Sequence, residues 1–241
     1  MKAIWKGLIA GIILIAIGAL IIITTLAVNG WKIKDINYTM KTFTAQSDVA
    51  LIDVDVDAYT LKTEFYDGDK IEISYPESKA LKTRISEKDG KLKFETDTKW
   101  YASLFNFTKP PETVVKLPKD KVYDIIIDLG AGTVKLADGV YGNINIDVSA
   151  GTLSATGVTC DKIVCDVSAG TLNIKELTCP DIKADVSAGT LNLGIAGAKE
   201  DYTIRASVSV GSCNVTNQTG ATGKKLDVDC SAGKISVNFK G

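Results

Sequence analysis

One phrase, Asp-x-Ser-Ala-Gly-Thr-Leu, recurs through the second half of the chain and leaves few folds open. It reads Asp128-Leu-Gly-Ala-Gly-Thr-Val134 in its first copy. It then reads Asp-Val-Ser-Ala-Gly-Thr-Leu at 147–153, 166–172 and 185–191. Two looser copies follow, Ser207-Val-Ser-Val-Gly-Ser-Cys213 and Asp229-Cys-Ser-Ala-Gly-Lys-Ile235. The phrase glycines, Gly132, Gly151, Gly170, Gly189, Gly211 and Gly233, are separated by 19, 19, 19, 22 and 22 residues. A fixed period of ~20 residues marks a chain made of stacked supersecondary units.

Each unit alternates. Around the third copy, Ile163, Cys165, Val167 and Ala169 fall on one face, and Lys162, Val164, Asp166 and Ser168 on the other. Beyond Gly170 the alternation resumes with Leu172 and Ile174 inward and Thr171 and Asn173 outward. Period 2 on both sides of a glycine corner means two strands per unit and no helix. A single unit cannot bury its apolar faces. Stacking units at ~4.8 Å solves this, because each inward residue lands on its counterpart in the next coil. The expected columns, in sequence order, are Leu129, Val148, Val167, Val186, Val208 and Cys230, and Val134, Leu153, Leu172, Leu191, Cys213 and Ile235. The fold class is all-β, a parallel β-solenoid (β-helix). The glycines suggest corners at positive φ.

The chain of 241 residues has room for one sizeable domain. With 28 basic and 29 acidic residues it carries no electrostatic footprint for nucleic acid. It contains no histidine, the commonest general base and zinc ligand, which weighs against hydrolase or metalloenzyme chemistry. No catalytic, cofactor-binding or metal-ligating residue stands out.

Residues 7–28 form an uncharged run of 22, enough for a helix across a hydrocarbon core of ~30 Å. Trp5 and Trp31 lie just outside its ends, as an interfacial aromatic belt requires. A cleaved signal peptide has a shorter apolar region, of ~7–15 residues. The organisation expected is a short cytoplasmic head (1–6), a transmembrane helix (7–28), a stalk (29–47), a cap with the first coil (48–127) and the repeat solenoid (128–241). The chain is thus expected at the cell membrane as a single-pass protein with its β-domain extracytoplasmic, although charge alone does not set the orientation.

Asp55-Val-Asp-Ala-Tyr-Thr-Leu61 aligns as a degenerate first copy, with Tyr59 in place of the glycine. Strand candidates follow at 70–75, 83–86, 91–95 and 113–117, with hairpin turns expected at Asp67-Gly-Asp and Asp89-Gly. They form an antiparallel cap that includes an aromatic insertion at 100–107, which anchors a partner, touches the lipid surface or caps the open end of the core.

A leader strand, Tyr-Asp-Gly-Asp-Lys-Ile-Glu-Ile (66–73), Lys-Asp-Gly-Lys-Leu (88–92), Val-Lys-Leu-Pro-Lys-Asp (115–120) and the iterated Asp-x-Ser-Ala-Gly phrases occur in that order. The arrangement resembles the DUF4097 family of bacterial β-strand-repeat proteins, also described as candidate adhesins, over residues 46 to 241. The resemblance implies a β-helical ectodomain, often behind a membrane anchor, with some relatives acting in cell-envelope stress responses. It implies no catalytic residues.

Three constellations remain. Asp128, Asp147, Asp166 and Asp185 should form a ladder of outward carboxylates, a solvated row relieved by Lys162, Lys183 and Arg205. A straight row does not converge into the cage that calcium needs. Asn173, Asn192 and Asn214 should stack as an amide ladder on a flat Thr/Ser/Asn face suited to a glycan or a protein. Cys165, Cys213 and Cys230 fall on inward columns. Cys160 and Cys179 sit at equivalent corners within disulfide reach, although in-register geometry is strained and five cysteines leave one over. The function expected is a non-catalytic binding or scaffold surface for a protein or a cell-wall glycan, adhesin-like or in envelope stress sensing. The alternative is a glycan-active enzyme of the polysaccharide-lyase type. An open edge after the last strand would favour self-association.

Overall fold

The computed structural model describes residues 38–78, 81–98 and 112–241, together with Thr24. The expected membrane span and the aromatic insertion lie outside the described residues. Among those described, no helix is long and apolar enough to cross a membrane.

Ahead of the repeats run β1 (Thr39–Thr44), β2 (Leu51–Val56), β3 (Thr60–Tyr66), β4 (Glu72–Glu77), β5 (Leu81–Lys88), β6 (Lys91–Thr98) and β7 (Thr113–Pro118). The repeats supply β8 (Asp124–Leu129), β9 (Thr133–Leu136), β10 (Gly139–Val140), β11 (Asn143–Val148), β12 (Thr152–Thr159), β13 (Lys162–Val167), β14 (Thr171–Thr178), β15 (Asp181–Val186) and β16 (Thr190–Ile195). The last strands are β17 (Tyr202–Val208), β18 (Ser212–Cys213), β19 (Lys224–Cys230) and β20 (Lys234–Phe239). Each phrase is a corner between two strands, one in each of two sheets. The first sheet runs β5-β6-β2-β8-β11-β13-β15-β19-β17, and the second runs β1-β4-β7-β3-β9-β12-β14-β16-β20-β18, with β10 beside β12.

The solenoid reading holds for the coils, which pair in parallel and in register. Val148 meets Leu129 and Val167, and Leu172 meets Leu153 and Leu191. The degenerate first copy takes its expected place, Asp55 against Asp128 and Leu61 against Val134. Inward side chains fuse into one core in which Val56, Leu129, Val148, Val167, Leu172 and Leu191 are wholly buried.

The stacking order departs from the sequence order. The β19–β20 coil sits directly on β15–β16, and the β17–β18 coil lies outside it. Val186 therefore meets Cys230, which meets Val208, and Leu191 meets Ile235, which meets Cys213. The reason is length of match: β16 aligns with β20 at six positions, Thr190 to Ile195, whereas β18 is only two residues long. β19 is accordingly internal, and the final strand, β20, is covered by β18 at Lys234 and Ile235. The first sheet ends at β17, where Gln218 and Ile204 exchange backbone hydrogen bonds of 2.9 and 3.0 Å, and the Ala206 N–H donates to Asn217 Oδ1 at 2.6 Å.

The corners also differ from expectation. None of the six phrase glycines has a positive φ; only Gly90, Gly197 and Gly223 among the described glycines do. The phrase glycines are required by close approach instead. A Cβ on Gly170 would lie 2.6 Å from Gly151 O and 2.5 Å from Val148 Cγ1, and one on Gly189 would lie 2.6 Å from Gly170 O. Five of the six face an earlier corner, and Gly211, in the outer coil, faces Gly233; a Cβ on Gly132 would lie 2.2 Å from Tyr59 O. Tyr59 starts the column, with no earlier phrase corner beneath it, and its side chain is buried. The alanine beside each glycine sits at the tip of the corner, so Ala169, expected inward, is exposed.

Before the repeats, the pairing is mixed. β6 lies parallel to β2, β5 and β6 form an antiparallel hairpin, and β4 runs antiparallel to both β1 and β7. Asp89 (φ 51) and Gly90 (φ 74) make the hairpin turn that Asp-Gly favours. Asp67-Gly-Asp makes no hairpin, because β7 lies between β3 and β4. The end of the expected stalk is itself strand β1, held along its length by β4 from Thr39 against Glu77 to Thr44 against Glu72.

Candidate binding faces

The register that buries one face of each strand sets the other in straight rows. On the first sheet, Glu95, Asp55, Asp128, Asp147, Asp166, Asp185 and Asp229 share one line across consecutive strands. The ladder thus extends beyond the four carboxylates expected. Asp55 and Asp229 belong to copies of the phrase and were legible as members. Glu95 comes from β6, which carries no repeat signal.

Neighbouring strands lie ~4.8 Å apart, so the carboxylates repel one another. Burial first, and then Asp128 and Asp166, raise the pKa of Asp147 above the usual carboxylate range. Burial also raises that of Asp55, followed by Asp128, Asp57 and Glu95. Ion pairs form toward both ends of the row. Lys183 pairs with Asp185 at 3.1 Å, and Lys93 with Glu95. Lys162 and Arg205, expected to relieve the ladder, instead reach Asp181 and Asp227 in other rows, at 3.5 and 3.9 Å. Among the described residues no group of three or more acidic or thiol side chains converges to hold a metal ion.

A carboxylate whose pKa is raised in the folded state contributes stability below its unfolded pKa and loses it as pH rises through the folded value. Asp147→Asn should therefore stabilise the domain at pH 7 by about 0.5 kcal/mol. The gain should shrink at pH ~3, below the ordinary carboxylate pKa of ~3.9, where folded and unfolded states alike bind the proton. Urea unfolding at both pH values measures this, and a variant less stable than wild type at pH 7 would exclude repulsion as the dominant effect.

The outer face of the second sheet is of another kind. Thr60, Thr133, Thr152, Thr171 and Thr190 form one row, which continues through Lys234 to Ser212. Beside it run Ser154, Asn173, Asn192 and Ser236. Asn192 Nδ2 donates to Asn173 Oδ1 at 2.5 Å, the expected amide ladder. Asn214 does not continue it, because β20 intervenes. Its amide instead holds the backbone of β20, accepting from Val237 N–H at 2.7 Å and donating to Val237 O at 2.8 Å. The neutral rows are bounded by Lys62 and Lys135 on one side and Lys234 on the other. They present hydroxyl and amide groups that both donate and accept hydrogen bonds.

Two concavities mark the first sheet's outer face. One of about 430 Å³ is walled by Lys183, Asp185, Arg205, Asn217, Asp227 and Asp229. The other, about 340 Å³, lies among Leu51, Ile126, Asn145 and Val164. The first does not follow from the repeat alone, since Asn217 reaches it from the segment after β18.

Comparison with known proteins places residues 49–241 under the family model described as Toastrack DUF4097. Three solved structures are similar at a distance. A candidate cell adhesion protein from Clostridium sporogenes is 12% identical, with 85% of this chain and 100% of that one covered and a TM-score of 0.38. A candidate adhesin from Parabacteroides distasonis is 13% identical, covering 86% and 96%, with a TM-score of 0.37. A candidate lipid binding protein from the same species is 14% identical, covering 86% and 99%, with a TM-score of 0.36. No curated protein matches the chain.

Proposed function

The chain belongs to the Toastrack DUF4097 family, and from that premise we propose that it is a non-catalytic binding protein anchored at the cell membrane by residues 7–28. Its extracytoplasmic β-domain engages cell-wall glycan through the outer face of the second sheet, as an adhesin or an envelope sensor. The observation that carries this reading is the neutral Thr/Ser/Asn surface, repeated in register over β9, β12, β14 and β16. Such a surface matches a neutral glycan, whose hydroxyls also donate and accept. A regular array suits a repeating polymer better than a single small substrate, and the coils from β11 to β16 keep one pattern.

The test is retention of the purified full chain, in detergent, on insoluble cell-wall glycan. Wild type should be retained. Thr171→Arg with Thr190→Arg should reduce retention about tenfold, the loss of ~1.4 kcal/mol. Asp147→Asn on the opposite sheet should leave it unchanged. No retention of wild type, or equal retention of all three, would overturn the glycan reading. Release of soluble sugar from the glycan would mark the protein as an enzyme instead.

A further inference from the structure

Five cysteines are free, and the register brings only one thiol against another. Cys165 stands between Ile146 and Ala184. Cys230 stands between Val186 and Val208, and Cys213 against Ile235. Cys160 and Cys179 are different. They close equivalent corners of neighbouring coils, between β12 and β13 and between β14 and β15.

The strands flanking these corners are in register on both sides, Thr159 against Thr178 and Lys162 against Asp181. The Cys160 N–H donates to Thr178 O at 3.0 Å. In-register neighbours stand ~4.8 Å apart, within the Cα separation of ~4.4–6.8 Å that a disulfide spans. Both residues lie at strand ends, where the chain adjusts more readily than in mid-ladder. The two residues are 4% and 1% exposed, and the Cys179 thiol donates to Asp181 O at 3.2 Å. Each thiol acts on the other, raising the pKa of Cys160 and lowering that of Cys179, so Cys179 is the readier thiolate. Tyr202 closes the site from the outer coil, its hydroxyl donating to Cys179 O at 2.8 Å.

We propose that Cys160 and Cys179 are a redox-active dithiol that closes to a disulfide, stapling two adjacent coils, by exchange with a small-molecule or protein disulfide. The Cys179 thiolate attacks one sulfur of the incoming disulfide, forming a mixed disulfide and expelling one thiolate, which takes up a proton. Cys160 loses its proton and attacks the Cys179 sulfur, expelling the second thiolate, which takes up that proton. Two protein thiols are oxidised and one disulfide is reduced to two thiols. Because both sulfurs are buried, exchange proceeds through local opening of the corners and is slower than for an exposed thiol.

The experiment incubates the reduced full chain, in detergent and without denaturant, with oxidised glutathione. Expected are the loss of two titratable thiols, a peptide map joining Cys160 to Cys179, and a Tm several degrees higher that dithiothreitol reverses. Cys165→Ala should behave like wild type. Cys160→Ala should show no intramolecular bond and no oxidation-dependent rise in Tm. Retention of all five thiols, a bond mapped to another pair, or oxidation only in denaturant would each overturn the proposal.

Discussion

Replacing Gly170 with alanine should lower the unfolding free energy by about 3 kcal/mol, the upper part of the range for forcing extra atoms into a packed interior. The added methyl would lie 2.6 Å from Gly151 O and 2.5 Å from Val148 Cγ1. The first contact is backbone, pinned because the Thr171 N–H donates to Gly151 O at 2.9 Å. The second belongs to a side chain that is wholly buried. Neither can give way without parting two coils. Gly157 is the control, because a Cβ there would approach nothing nearer than 3.7 Å, at the Asp138 carboxylate. Gly157→Ala should leave stability unchanged or raise it by up to ~1 kcal/mol through the unfolded chain. Urea unfolding of the pair decides the matter. Equal effects at the two sites would mean that close approach is not what the phrase glycine provides.

Ending the chain after Gly223 should remove more order than the deleted residues contain. In a stack built in sequence order, loss of β19 and β20 would trim one terminal coil and leave its neighbour intact. Here β17 and β18 pair, within their sheets, with β19 and β20 alone. Amides on β17 that face β19, such as those of Thr203, Arg205 and Ser207, should lose hydrogen-exchange protection completely in the truncated chain. Those of β11 and β13 should keep most of theirs. The Tyr202–Phe239 ring contact at 5.6 Å disappears as well. Protection of β17 that survives truncation would refute the inserted order.

The repeat made the core legible, because apolar alternation and a fixed period determine both face and register. Leu129, Val148, Val167 and Val186 stack as their positions in the phrase require. The sequence order of the last two coils misleads because the phrase scores both copies alike. What separates them is the six-position match of β20 to β16, which depends on strand length and not on the phrase. The glycine corner was found but given the wrong cause. Period and residue type identify a position intolerant of a side chain, but not whether dihedral angle or proximity excludes it. The carboxylate ladder was half visible, since Glu95 joins it from a strand outside the repeat. The reliefs by Lys162 and Arg205 were misassigned because each meets a carboxylate at its own register position, Asp181 and Asp227, whereas Lys183 reaches two residues along its strand to Asp185. The neutral face was readable residue by residue, apart from Asn214, whose amide is used by the backbone of β20.

The inserted coil has a consequence for the order in which the chain acquires its shape. A stack of this kind otherwise grows by local additions, each unit settling on the one just made. At β16 that growth pauses, because the next strand in sequence is not the one that fits. Residues 196–223 must wait, looped away from the edge, until 224–239 arrive and dock. That docking is the slow step, because Asp181 must find Lys225 across 44 residues where Lys162 found Asp181 across 19; the waiting segment then folds back over it, Tyr202 against Lys224. The outermost coil is therefore a late clasp. It closes when the strands on both sides of it in the sequence are present, and its closure distinguishes a finished domain from one still being made.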